Sequence, residues 1–125
     1  MKANELRVGN WCMQLQTDKA YKYFNKTVIT PKDIAICQAF PGYVYHEPIE
    51  LTESWLIGFG FKGMYGDMHL PIDNFKLCHY VNKNRDTYLF LNKGEEELDL
   101  TDRCQYVHQL QNIYFALTGK ELELT

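Results

Sequence analysis

Serine is almost missing from this chain: Ser54 is the one serine in 125 residues. It stands in Glu53-Ser54-Trp55, without the glycines of a nucleophile elbow, and a serine hydrolase of that type is excluded. Nor is there a C-x-x-C pair. Cys12, Cys37, Cys78 and Cys104 are scattered, so the tight ligand pairs of a structural zinc site and the dithiol of a redox motif are both lacking. No stretch approaches the roughly eighteen apolar residues of a membrane span, and Met1 to Arg7 carry no apolar signal-peptide core. Together these absences predict a cytoplasmic protein, away from membranes, whose cysteines act as small apolar residues.

A large excess of charge of one sign is also missing. Thirteen Lys and Arg face sixteen Asp and Glu, a net charge of −3, so no global field gathers a polyanion. A sharper gap is local, since no Asp, Glu, Lys or Arg occurs from Cys104 through Gly119. Repeats and low-complexity linkers are missing too, and the supply of apolar residues, 46% of the chain, suffices for one core. The expectation is a single α+β domain, residues 1–125.

The patterns that are present divide the chain. Glu5 to Gln16 reads as a first strand broken at Gly9-Asn10. Thr27 to Thr30 and Ile34 to Phe40 hold β-branched residues on either side of Pro31-Lys32-Asp33 and read as further strands or a bent one; Val44 and Tyr45 begin another. Leu51 to Phe61 carries a short-helix signature over about 53 to 59: Thr52 as N-cap, Leu51 and Leu56 as a hydrophobic staple, Gly60 as the stop, and Phe61 folding back on Leu56. Met68 to Ile72, Phe75 to Val81 and Asp86 to Asn92 form an antiparallel meander, with Pro71 placing its first strand at an edge. The acidic stretch Glu95 to Asp102 reads as the approach to a closing helix over about 102 to 117, favouring its positive end.

At about 100° per residue, Tyr106, Leu110, Ile113, Tyr114 and Leu117 share one face of that helix, with Val107 at its edge. Opposite them stack Cys104, His108, Gln111 and Phe115. A surface helix ordinarily carries charge on its outer face, so this chargeless stripe predicts a cover. Either the chain's own N-terminal half or a protein partner, including a second copy, supplies it, and these four residues are the candidate protein interface. A second candidate is Lys19, Tyr21, Lys22, Tyr23 and Lys26, with Phe24 among them. Cations interleaved with rings suit single-stranded nucleic acid, although an exposed hairpin with its rings turned inward gives the same pattern.

Other motifs carry less. Gly58, Gly60 and Gly63 match G-x-G-x-x-G where a helix closes rather than opens, against the dinucleotide reading. Cys104 with His108, and Cys78 with His79, have permissive spacing for zinc or an activated thiol, but no acid/base pair is placed beside them. No catalytic residue, metal ligand or cofactor is therefore assigned.

The run Tyr106-Val107-His108-Gln109-Leu110-Gln111-Asn112-Ile113-Tyr114-Phe115-Ala116-Leu117-Thr118-Gly119-Lys120-Glu121-Leu122 resembles the ending of a family of small uncharacterised proteins encoded by Bacteroidetes and their phages. The opening Lys2 to Trp11 and the middle, Pro48 to Leu56 with Phe59-Gly60-Phe61, are similar to the same family. The resemblance implies a phage or mobile-element source, with the host cytoplasm as location, and supplies no reaction or site residue. Leu6 to Trp11 is also similar to the first strand of SH3-like barrels, which implies a small curled N-terminal barrel. The function expected from all this is a non-enzymatic protein-binding or adaptor module. The alternative is single-stranded nucleic-acid binding through Lys19 to Lys26.

Overall fold

The structure, a computed structural model, describes residues 6–17, 22–39, 46–101 and 104–125. Its fold is α+β, with two antiparallel sheets and helices that include one near the C-terminus. The chain forms two compact units, Met1–Glu50 with Tyr106–Glu121 and Leu51–Gln105 with Leu122–Thr125. Among the described residues no helix is long and apolar enough to cross a membrane.

In the first unit β1 (Trp11–Thr17) pairs with β2 (Lys22–Val28) on one side and the short β3 (His46–Glu47) on the other. This three-stranded sheet has the order β2-β1-β3; among the described residues no closed barrel forms, in contrast to the SH3-like expectation. The bend at Gly9-Asn10 is real. Gly9 has φ +97°, and Asn10 is buried, its Oδ1 accepting from the Arg7 backbone N–H at 2.6 Å. Leu6, Cys12 and Ile29 form a buried cluster under this turn, with Ile34 packed against it.

The expected strand from Ile34 to Phe40 is instead a helix, α1 (Pro31–Ala39). A local signal outweighs β-branched composition here. Asp33 Oδ2 accepts from the Thr30 backbone N–H and hydroxyl, both at 2.8 Å, while the Asp33 N–H lies 3.4 Å from Thr30 Oγ1. That is a reciprocal cap, and Pro31 at the first helical position needs no hydrogen-bond acceptor for a missing N–H. Val44 and Tyr45 lie outside the described residues, as does Phe40.

The second unit opens with α2 (Glu53–Gly58), as expected, although Thr52 at its N-cap makes no side-chain cap bond. Its end is a Schellman motif: Gly60, at φ +97°, donates to Ile57 O and Phe61 donates to Leu56 O, each at 3.0 Å. Leu51, Leu56, Phe59 and Phe61 are all buried, which fits the staple and the fold-back. The chain terminus returns to this helix, with Thr125 N–H donating to Gly58 O at 2.7 Å.

β4 (Lys62–Met64), β5 (Asp67–Ile72), β6 (Phe75–Val81), β7 (Thr87–Lys93) and β8 (Glu96–Thr101) then form a five-stranded sheet in chain order. Its middle strands β5, β6 and β7 are the expected meander, and β4 and β8 extend it on either side. β5 is not the edge, because β4 covers it, but that pairing spans only Asp67 to His69 and leaves Pro71 paired on the β6 side alone. Proline thus sits where its missing donor costs nothing. The acidic stretch read as an approach to the last helix is β8, in which Leu98 alternates with Glu97 and Asp99 as a strand requires before the register with β7 shifts at Leu100.

The last helix, α3 (Val107–Thr118), belongs to the first unit and starts later than expected, since β8 uses residues through Thr101. The Tyr106 backbone N–H donates to Gln109 Oε1 at 3.1 Å, and Gly119, at φ +71°, ends the helix. Its most buried residues are Val107, His108, Leu110 and Gln111; Tyr106, Ile113, Tyr114 and Leu117 are only half-buried. The buried side is therefore rotated towards the chargeless stripe expected to be covered.

Candidate functional site

Polar bonding explains that rotation. Gln111, 1% exposed, accepts from the Trp11 backbone N–H at 2.8 Å and donates to Gly9 O at 3.2 Å. Asn112 Oδ1 next to it accepts from Asn10 Nδ2 at 2.8 Å and Arg7 Nε at 3.2 Å. The Arg7 guanidinium lies 4.1 Å from the Phe115 ring centroid and pairs with Glu121. So the N-terminal turn of the same unit holds this side of α3. A buried glutamine with both ends bonded is as much an interior residue as leucine. Of the expected interface, Cys104 is buried before α3, in the second unit, and His108 and Gln111 are buried on α3. Phe115 is 38% exposed beneath Arg7.

Of the cation and ring cluster, Lys19 and Tyr21 lie outside the described residues. Lys22 and Tyr23 fall on β2, an edge strand of its sheet, and Lys26 on the same strand is exposed.

The buried ionisable groups have structural surroundings. His46 Nε2 and Gln14 Nε2 each lie 3.4 Å from Asp33 Oδ1, and burial pulls the His46 pKa down against the opposing pull of Asp33. Asp33 is already engaged in capping α1. His79 is 1% exposed on β6, and burial lowers its pKa as well. Burial pushes the Cys104 thiol up to about 12 and raises that of Cys78, so both rest as thiols rather than as nucleophilic thiolates. Among the described residues no group of three or more His, Cys, Asp or Glu could hold a metal ion.

The feature that does face outward is one end of the five-stranded sheet. Strand register places Leu70, Leu77, Leu91 and Leu98 side by side across four strands. Leu77 is fully buried, Leu70 and Leu91 are half-buried, and Leu98 on the last strand is 61% exposed. The row thus runs out of the core into solvent. Along it runs a groove of about 530 Å³ lined by Phe75, Leu91, Lys93, Glu96, Glu97 and Leu98. A smaller hollow of about 300 Å³ lies at the adjoining hairpin, between Pro71, Lys76 and Asn92.

No family model, curated protein or solved structure matches this chain. The candidate site therefore rests on its own geometry. Among the described residues β8 is an edge, and every second residue of an antiparallel edge strand turns its N–H and C=O away from its neighbour. Glu96, Glu97, Leu98 and Asp99 are all exposed. An edge open among the described residues, an apolar row ending on it and acidic side chains along it can accept a polypeptide. Period-two alternation in Glu97-Leu98-Asp99-Leu100 was the signal in the sequence, and the four acidic residues from Glu95 to Asp99 masked it.

Proposed function

We propose that this chain is a non-enzymatic protein-binding module of the adaptor type, acting in the phage or mobile-element setting that its C-terminal resemblance implies. The docking surface is the open end of the five-stranded sheet. One observation carries the reading: Leu98 ends a row of four leucines and stays 61% exposed. A large apolar side chain continuous with the core marks an interaction surface better than isolated exposed residues do. The test is reconstitution. A partner captured with the wild-type chain is purified and rebound to wild type and to Leu98→Lys; the reading expects binding to collapse in the variant, and equal binding contradicts it.

The second reading, single-stranded nucleic-acid binding through Lys19 to Lys26, is supported by the exposed Lys26 on an edge strand. Fluorescence anisotropy with oligonucleotides decides it, because phosphate contacts are strong at about 50 mM salt and weaken steeply above it. Absence of binding at low salt removes this reading.

A further inference from the structure

Resting on the protein-binding reading, we infer that the partner contributes an extended segment of alternating apolar and basic residues, which adds to β8 as a sixth strand of the sheet. Two observations converge on that chemistry. β8 is the last strand in the order β4-β5-β6-β7-β8, so its outward backbone groups have ladder positions for another strand and none for a helix. From Glu97 to Asp99 its side chains alternate by face. Leu98 continues the apolar side of the sheet, on which Leu77 and Leu91 lie, Glu97 and Asp99 point to the opposite side, and Leu100 is the extra residue where the register with β7 shifts. A strand laid beside it therefore meets leucine at one position and carboxylate at the next. Cross-strand neighbours of opposite charge are favoured and like charges are penalised, so the positions facing Glu97 and Asp99 select Lys or Arg.

The same rule argues against a second copy of this chain. Pairing β8 with its own duplicate would gather Glu96, Glu97 and Asp99 of both strands along one seam, the arrangement by which edge strands avoid self-association. The acidic edge admits a basic strand and rejects itself.

Peptide titrations followed by amide chemical shifts of the full chain test this. The panel is a ten-residue alternating valine and lysine peptide, a block peptide of the same composition, and an alternating valine and glutamate peptide. The alternating basic peptide is expected to shift the amides of Glu96 to Thr101 and to bind at least about tenfold tighter than either control. N-methylation of alternate backbone nitrogens on its pairing edge should abolish binding. In Glu97→Lys/Asp99→Lys, whose two sites are exposed, preference should pass to the glutamate peptide. If the block or N-methylated peptide binds as well, or the charge reversal leaves the preference unchanged, strand addition is overturned while a Leu98-dependent reconstituted partner keeps the protein-binding reading. No response of β8 to any peptide at about 1 mM, the scale of a weak contact, overturns the inference as well.

Discussion

Replacing His79 with leucine should stabilise the second unit, by an amount that grows as the solution is acidified. The imidazole occupies a row with Met68 and Leu89, all three at most 1% exposed, and among the described residues neither of its nitrogens has a hydrogen-bond partner. Leaving a buried polar group unmade costs about 1–3 kcal/mol, while an apolar replacement of similar volume costs less than about 1.5 kcal/mol in repacking. The net expectation near neutral pH is a gain of about 1 kcal/mol. The acid branch adds to it. Burial lowers the folded-state pKa below the ordinary 6.5, so below that pH the unfolded chain takes up a proton that the fold refuses. Stability is full above 6.5 and is lost as pH falls through it, until the folded pKa is reached. The loss grows by at most about 1.4 kcal/mol for each pH unit below 6.5. Urea unfolding at about pH 8, 6.5 and 5 in a Trp11→Phe background, with Trp55 reporting on the second unit, measures the difference between His79→Leu and its parent. Comparison by difference cancels His46, whose pKa is also lowered. A difference independent of pH, or a variant less stable throughout, refutes the reasoning.

Gln111→Ala should destabilise the first unit by about 2 kcal/mol, because the Trp11 N–H and Gly9 O both lose their partner in a buried place; thermal unfolding checks it, and a change under about 0.5 kcal/mol, the scale of a surface substitution, contradicts it. Cys104, buried and with its thiol pushed up to about 12, should react with a thiol reagent at about pH 8 only as fast as the protein opens, and rapidly in denaturant. Fast labelling of the folded chain at Cys104, located by mass spectrometry, argues against that burial.

Where a local signal is complete, the sequence was legible. The Leu51 to Phe61 segment carries staple, glycine stop and fold-back within eleven positions, and the structure forms the helix with its Schellman end. The meander was equally clear, because turns at Asp73-Asn74 and Asn82 to Asp86 separate runs of strand length. α1 was misread for the opposite reason: the Thr30 and Asp33 cap is two residues deep, while the β-branched composition around it is conspicuous. In α3 hydrophobic periodicity found Val107 and Leu110 but not how deeply Gln111 is buried, since it gives a glutamine no credit for the backbone groups that Gln111 finds in the Gly9 to Trp11 segment. The candidate site depended on register. Nothing local says that Leu98 stands at the end of a row begun by Leu70, Leu77 and Leu91, because that alignment is made by three separate strand pairings.

The dissociation constant of a reconstituted partner, measured for the wild-type chain and for Leu98→Lys, tests the docking surface most directly. Leu98 is 61% exposed, so its replacement should change folding stability by no more than about 0.5 kcal/mol, as at other surface positions. Truncating a central apolar contact and placing a cation beside it should weaken binding by at least about tenfold. An unchanged dissociation constant in a folded Leu98→Lys protein would contradict the assignment of the open sheet end as the surface this protein uses.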